Sequence, residues 1–247
     1  MKKLLWMTAA MALAVSAASA QQFWDKKPYE NWSKEECKRM LEHSPWAERW
    51  DDAEVVFAPV NRQTELGTDA TRQVNYVVQF RSALPMRRAV VRMAFLQATK
   101  GHRAKPEEQQ RFRQQSAGFL SASFDEFVVL HVLYGSNIPE IDRSLAVYWQ
   151  QQTSETVKDV FSLIGSNGKR VSAVHYEVLP GAGREFEVTF PRMVNEAPIV
   201  SEADKSLALE FRHPAISDPQ SEGTPRSQRV LMEFKLKDMI SQGHLVF

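Results

Sequence analysis

Four of the six tryptophans fall in one stretch, at Trp24, Trp32, Trp46 and Trp50. Each indole carries a large apolar area and one N–H donor, so four in a short segment require a shared surface to dock on. The stretch WDKKPYENWSKEECKRMLEHSPWAERW therefore reads as an N-terminal helical clasp, residues 21–52, closed over a larger body.

Local signals define the clasp. Ser33-Lys-Glu-Glu36 fits a capping box, with the Ser33 hydroxyl and the Glu36 carboxylate each meeting a backbone N–H. Cys37, Met40 and Leu41 then share one helical stripe. Ser44-Pro45 reads as a second helix start, which would set Trp46 and Trp50 one turn apart on one face. Lys27 precedes Pro28 and is expected to be extended.

On these residues, KPYENWSKEECKRMLEHSPWAERW resembles the opening of a group of uncharacterised secreted bacterial proteins that share K-P-Y-x-x-W-S-x-x-E followed by L-x-x-S-P-W-A. The resemblance covers about two dozen residues and implies a segment that follows a signal peptide and precedes a mostly β region. It implies no activity and carries over no functional residue.

Beyond the clasp, residues 53–247 read as mostly β with α additions, a β-sandwich-like domain. Ala53–Val60 and Gln73–Phe80 are expected strands, joined by a polar loop. Phe127–Leu133 is a continuous apolar run of the length of a central strand, and Ser144–Gln150 is ambiguous between strand and helix. Val157–Ile164 and Val171–Leu179 flank Gly165-Ser-Asn-Gly168, a hairpin signal. Strict alternation follows at Phe186, Val188 and Phe190, at Leu207, Leu209 and Phe211, and at Val230, Met232, Phe234 and Leu236. Short alternating strands between Gly/Pro turns predict a sandwich. Residues 213–227 read as a polar loop.

One region breaks the period. Pro85 opens MRRAVVRMAFLQA and Pro106 opens EEQQRFRQQSAGFL, separated by Gly101, which predicts a helical hairpin inserted at about residues 85–121. From Arg72 through Ser123 ten basic residues face only Glu107 and Glu108, a net charge of +8. Arg87, Arg88, Arg92, Arg103, Lys105 and Arg111 form the candidate partner-binding patch, with Arg81, Lys100 and Arg113 beside them. A solvated face whose arginines pair with acidic neighbours is the default reading. The functional alternative is a surface for an anionic envelope component such as lipid headgroups or polysaccharide.

Met1–Ala20 has the parts of a signal peptide: Lys2 and Lys3, an apolar run from Leu4 to Val15, and Ala18-Ser19-Ala20. The apolar run is short for a membrane span, which needs roughly 20 residues. Export to the periplasm or beyond, with no transmembrane segment after cleavage, is the expectation. Without its first 20 residues the chain has 29 basic and 30 acidic residues, a net charge of −1, which gives no reason to expect nucleic acid. Cys37 is the one cysteine, so no intramolecular disulfide can form; a buried thiol is expected, with an intermolecular bridge as the alternative.

The chemistry-bearing residues form no recognised pattern. The six histidines show no metal-binding spacing, although His131 and His175 lie in expected strands that could meet. There is no G-x-S-x-G elbow, and Gly165-Ser-Asn-Gly-Lys169 lacks the spacing of a phosphate loop. No catalytic, cofactor-binding or metal residue is assigned. Two functions stand: a non-enzymatic binding or envelope-associated protein, or a secreted hydrolase with a site assembled from residues distant in sequence.

Overall fold

Alternation at period two builds two antiparallel sheets. A computed structural model describes residues 23–56, 70–99, 104–179, 181, 183–201, 203–216 and 227–247. The five-stranded sheet runs β1 (Ala47–Val56), β2 (Ala70–Phe80), β3 (Phe127–Ser136), β7 (Glu185–Pro191) and β6 (His175–Val178). The four-stranded sheet runs β11 (Gln228–Lys235), β10 (Ser206–His213), β4 (Phe161–Gly165) and β5 (Arg170–Ser172). Two short ribbons, β8 (Met193–Val194) with β9 (Ala197–Pro198) and β12 (Ile240–Ser241) with β13 (His244–Leu245), complete the strands.

The sheets meet through the residues that alternate inward. Tyr76 of β2 stands edge-on to Phe211 of β10, ring centroids 4.9 Å apart, and Phe80 to Phe234 of β11 at 4.7 Å. Val74, Val78, Leu130, Val132, Phe186, Val188, Leu207 and Leu209 fill the space between them. The chain is a β-sandwich-like body with α additions, and β3 is its central strand as its continuous apolar run predicts.

Among the described residues six α-helices are added: α1 (Phe23–Lys26), α2 (Lys34–His43), α3 (Leu84–Ala98), α4 (Pro106–Ser121), α5 (Pro139–Gln150) and α6 (Ser154–Val157). The capping box at α2 forms in full: Ser33 N–H donates to Glu36 Oε2 at 2.7 Å, and Glu36 N–H to Ser33 Oγ at 3.1 Å. Helices α3 and α4 are the insert between β2 and β3. The ambiguous Ser144–Gln150 belongs to α5, whose Trp149 is fully buried among Tyr76, Phe161 and Phe186.

Two strand assignments change, and the strand expected at Val157–Ile164 starts only at Phe161, after α6 and a turn. The second helix expected at Ser44-Pro45 is absent, because Ser44 Oγ accepts the Trp46 N–H at 3.3 Å in a turn and Ala47 enters β1. The pull is tertiary: Phe80 N–H donates to Trp46 O at 3.0 Å, and β1 pairs with β2 from Ala47↔Gln79 onward. The first strand thus begins before Ala53 and the boundary drawn at residue 52 lies inside it; residues 57–60 lie outside the described part. The second change is at Val171–Leu179, which is not one strand. β5 pairs with β4, then the chain crosses at Ala173-Val174 and β6 joins β7 in the other sheet. Gly168, at φ +81°, makes the β4–β5 turn as expected.

The clasp tryptophans pack as one aromatic unit. Phe23 meets Trp24 at 5.4 Å and Trp32 at 5.2 Å, and Trp24 meets Trp46 at 5.3 Å, all edge-to-face. Trp24, Trp32 and Trp46 are buried, while Trp50 is half-buried on β1 beside Tyr76. Trp46 Nε1–H donates to the carbonyl of Val246, and Gln79 Nε2 to Leu41 O at 2.8 Å, holding α2 on the sheet. Asp25 accepts from Ser241 Oγ at 2.8 Å and Gln242 N–H at 3.2 Å, tying α1 to the β12–β13 ribbon. Cys37 is a free, buried thiol. No helix among the described residues is long and apolar enough to cross a membrane.

Candidate functional site

Helix α3 takes its place from two sides. Its inner face, with Met86 and Ala89, joins the core, and α2 packs across it. Arg92 Nε donates to Trp32 O at 2.8 Å, and its guanidinium lies 5.4 Å from the Phe95 ring. The clasp is thereby fastened to the insert, and the 3-10 turn Tyr29–Asn31 is set opposite the open side of α3.

Helix α4 closes the third side with little packing of its own. None of its residues is buried, and its ring contact is Phe112 on Phe95 at 5.2 Å. Its C-terminal end is held by Arg87, whose Nη1 donates to the carbonyls of Phe119 (2.8 Å), Leu120 (3.0 Å) and Ala122 (3.0 Å) while the guanidinium stacks on Phe124. Those are carbonyls that a helix end leaves without intrahelical partners.

Between the turn Tyr29–Asn31, α3 and α4 lies a cleft of about 370 Å³. Val91, Phe95, Leu96 and Phe112 supply its apolar floor, and Arg92 and Arg113 its basic rim, with Glu30 the one carboxylate in the lining. Tyr29 stands at the mouth. Burial, then Glu30, pushes its phenol pKa up against the opposing pull of Arg113, Arg88 and Arg92. At neutral pH Tyr29 is therefore a protonated donor beside three guanidinium charges. Among the described residues Arg88 and Arg113 have no carboxylate in ion-pair reach.

The six-residue basic patch does not survive as one surface. Arg87 is 5 % exposed and spent on α4, and burial followed by repulsion from Arg88 lowers its pKa. Arg92 is a wall of the cleft. Arg88 is half-buried near Tyr29, Lys105 at the start of α4 and Arg111 on it are exposed, and Arg103 lies outside the described residues, as do Lys100 and Met1–Ala20, where a signal peptide was expected. Arg81 is drawn away altogether, to Glu187 at 3.6 Å on the sheet. Tyr29, Phe95, Leu96 and Phe112 complete the cleft with Arg113, which the basic run had already marked; nothing in the charge pattern marks the other four.

Two other groupings bear on chemistry. His131, 1 % exposed, faces Glu185 (Nε2 to Oε2, 2.6 Å) and Glu187 (Nδ1 to Oε1, 3.6 Å) across neighbouring strands, a polar seam on the outer face of the sheet. His175 does not share these contacts; its neighbours are Ser154 Oγ at 3.4 Å and Glu177 at 4.0 Å. Ser154, His175 and Glu177 line up as a nucleophile, base and acid would. Yet Ser154 Oγ is taken by the Tyr176 N–H at 3.1 Å, and His175 and Glu177 are more than half exposed. Among the described residues no group of three His, Cys, Asp or Glu is placed to hold a metal ion. The cleft brings together an apolar floor, a protonated phenol and, in Arg113, a guanidinium without a carboxylate partner among the described residues. Comparison with protein-family models, with curated proteins and with solved structures finds no match for this chain.

Proposed function

We propose that this chain is an exported, non-enzymatic binding protein that holds an anionic component of the cell envelope in the cleft between its clasp and its helical insert. The observation that carries the reading is that Arg92 and Arg113 line the cleft beside Tyr29, with Arg88 near enough to act on its phenol, and that among the described residues Arg88 and Arg113 have no carboxylate partner. Support for export comes from the leader-like Met1–Ala20 and from the resemblance of Lys27–Trp50 to exported bacterial proteins. Attraction by such a rim extends about 8–10 Å at physiological salt and weakens as salt rises. The test is co-sedimentation with anionic vesicles and with acidic polysaccharide, alongside titration with soluble anionic amphiphiles, at low and high salt. Salt-sensitive binding to any of these that drops in Arg88→Gln/Arg113→Gln supports the reading; no binding at low salt, or binding indifferent to the substitutions, overturns it.

A hydrolase reading rests on Ser154, His175 and Glu177. It requires that hydrolysis of a simple activated ester, p-nitrophenyl acetate, exceed background and vanish in Ser154→Ala. An unchanged rate in that variant removes it.

A further inference from the structure

The cleft is lined by two chemically distinct sets of groups, one basic and one apolar, and an anionic surface alone makes no use of the second. Lipid headgroups in a bilayer or the hydroxyls of a polysaccharide would meet the arginine rim, but they would leave Val91, Phe95, Leu96 and Phe112 facing water. Phe95 and Phe112 stand edge-to-face at 5.2 Å with Leu96 alongside, an aromatic and aliphatic wall that continues inward from the rim. The volume, about 370 Å³, lies at the small end of the range of small-molecule pockets and excludes a folded domain or a bilayer.

We propose that the cleft takes a free single-chain amphiphile with one anionic head, its tail lying along Phe95, Leu96 and Phe112 and its head at Arg113 and the Tyr29 hydroxyl; this rests on the binding reading above and names its ligand class. The polar groups suit one acceptor-rich head. Tyr29 keeps its proton and can donate one hydrogen bond, and the Arg113 guanidinium offers forked donors. Arg92 is less free, since its Nε is already engaged with Trp32 O at 2.8 Å. Its part is to keep the clasp wall in place and add charge. Glu30 offsets one of the two cations in the lining, Arg92 and Arg113, leaving a net charge of +1 that suits a single negative charge.

Isothermal titration of the full chain with decanoate, decanol and acetate separates the two sets of groups without any substitution. Decanoate should bind, decanol about tenfold more weakly for want of a charged acceptor, and acetate not measurably. Arg113→Gln, an exposed substitution that leaves the packing alone, should weaken decanoate about tenfold and leave decanol unchanged. Phe112→Ala should weaken both; because it loosens α4 as well, the wild-type comparison of decanoate with acetate provides the same test of the apolar set. Equal affinity for decanoate and decanol, or for decanoate and acetate, overturns the assignment of head or tail. Vesicles or polysaccharide bound in an Arg88- and Arg113-dependent way while decanoate is ignored overturns the ligand class alone. Silence of every probe at low salt overturns this proposal together with the binding reading.

Discussion

The Tyr76 hydroxyl donates to Nδ1 of His213 across 2.9 Å, between a strand of one sheet and a strand of the other. Trp149 Nε1–H stands 3.3 Å from the same hydroxyl oxygen. An indole N–H can only donate, so the phenol accepts from Trp149; its own buried proton then has His213 Nδ1 as its acceptor, which puts the imidazole proton on Nε2. Burial, in the first place, lowers the His213 pKa to about 4, with Asp52 pulling the other way and Arg72 adding to the fall. The neutral imidazole is thus part of how the two sheets hold together.

A pH dependence follows from that bond. An unfolded histidine takes its proton near pH 6.5, the folded His213 only near 4, so between these values the unfolded chain binds more protons and stability falls as pH falls. About 2 kcal/mol should be gone by pH 5, roughly 4–8 °C in Tm for a chain of this size. Glu36 and Glu210, whose pKa values are lowered by partners, lose their contribution only below the ordinary carboxylate value of 4.5. Thermal melts of wild type and His213→Gln from pH 7.5 to 4.5 check this: the curves should diverge in slope, and parallel curves would exclude His213 as the cause.

Arg87 should behave as a structural residue. Arg87→Gln removes three hydrogen bonds to the end of α4 and the stack on Phe124, at a cost of about 2 kcal/mol or more. Arg88→Gln should stay within about 0.5 kcal/mol. Chemical denaturation measures both, and amide exchange should show α4 fraying in the first variant only.

The clasp tryptophans should divide by burial. Trp46→Ala opens a cavity at the junction of Trp24 and Val246 and should cost about 3–5 kcal/mol. Trp50→Ala, at a half-buried site on β1, should cost clearly less. Equal losses by urea denaturation would mean that the clasp does not dock through the Trp46 face.

Cys37 offers a reporter of clasp opening. It is fully buried, and burial pushes its thiol up to about 11, with Arg92 the largest opposing influence. At pH 8 its thiolate is scarce, so iodoacetamide should label the native protein about two to three orders of magnitude more slowly than an ordinary thiol. Labelling in denaturant should be fast. Rapid modification of the native chain, or a dimer on a non-reducing gel, would contradict a closed clasp.

Where the cause of a structure is local, its residues declare it. Ser33 and Glu36 are three apart and close a capping box whatever lies around them. The alternation from Val74 to Phe80, or from Phe186 to Phe190, settles which face of a strand is apolar before any partner is known. The sandwich, its central strand and its helical insert were legible on that basis. Ser44-Pro45-Trp46 carries equally good helix chemistry, yet Phe80 and the rest of β2 draw the chain into a sheet, because a ladder of backbone bonds outweighs a weak local start. The same holds for Val171–Val178, divided between two sheets by partners far along the chain. Charge is the plainest case. Arg87 and Arg88 are neighbours of identical type, and only the arrival of the α4 carbonyls buries one while the other stays near Tyr29. The cleft joins Tyr29 to Phe112 and Arg113, residues more than eighty positions apart, and no period or spacing in a linear chain records such a meeting; it exists only once the clasp has closed over α3.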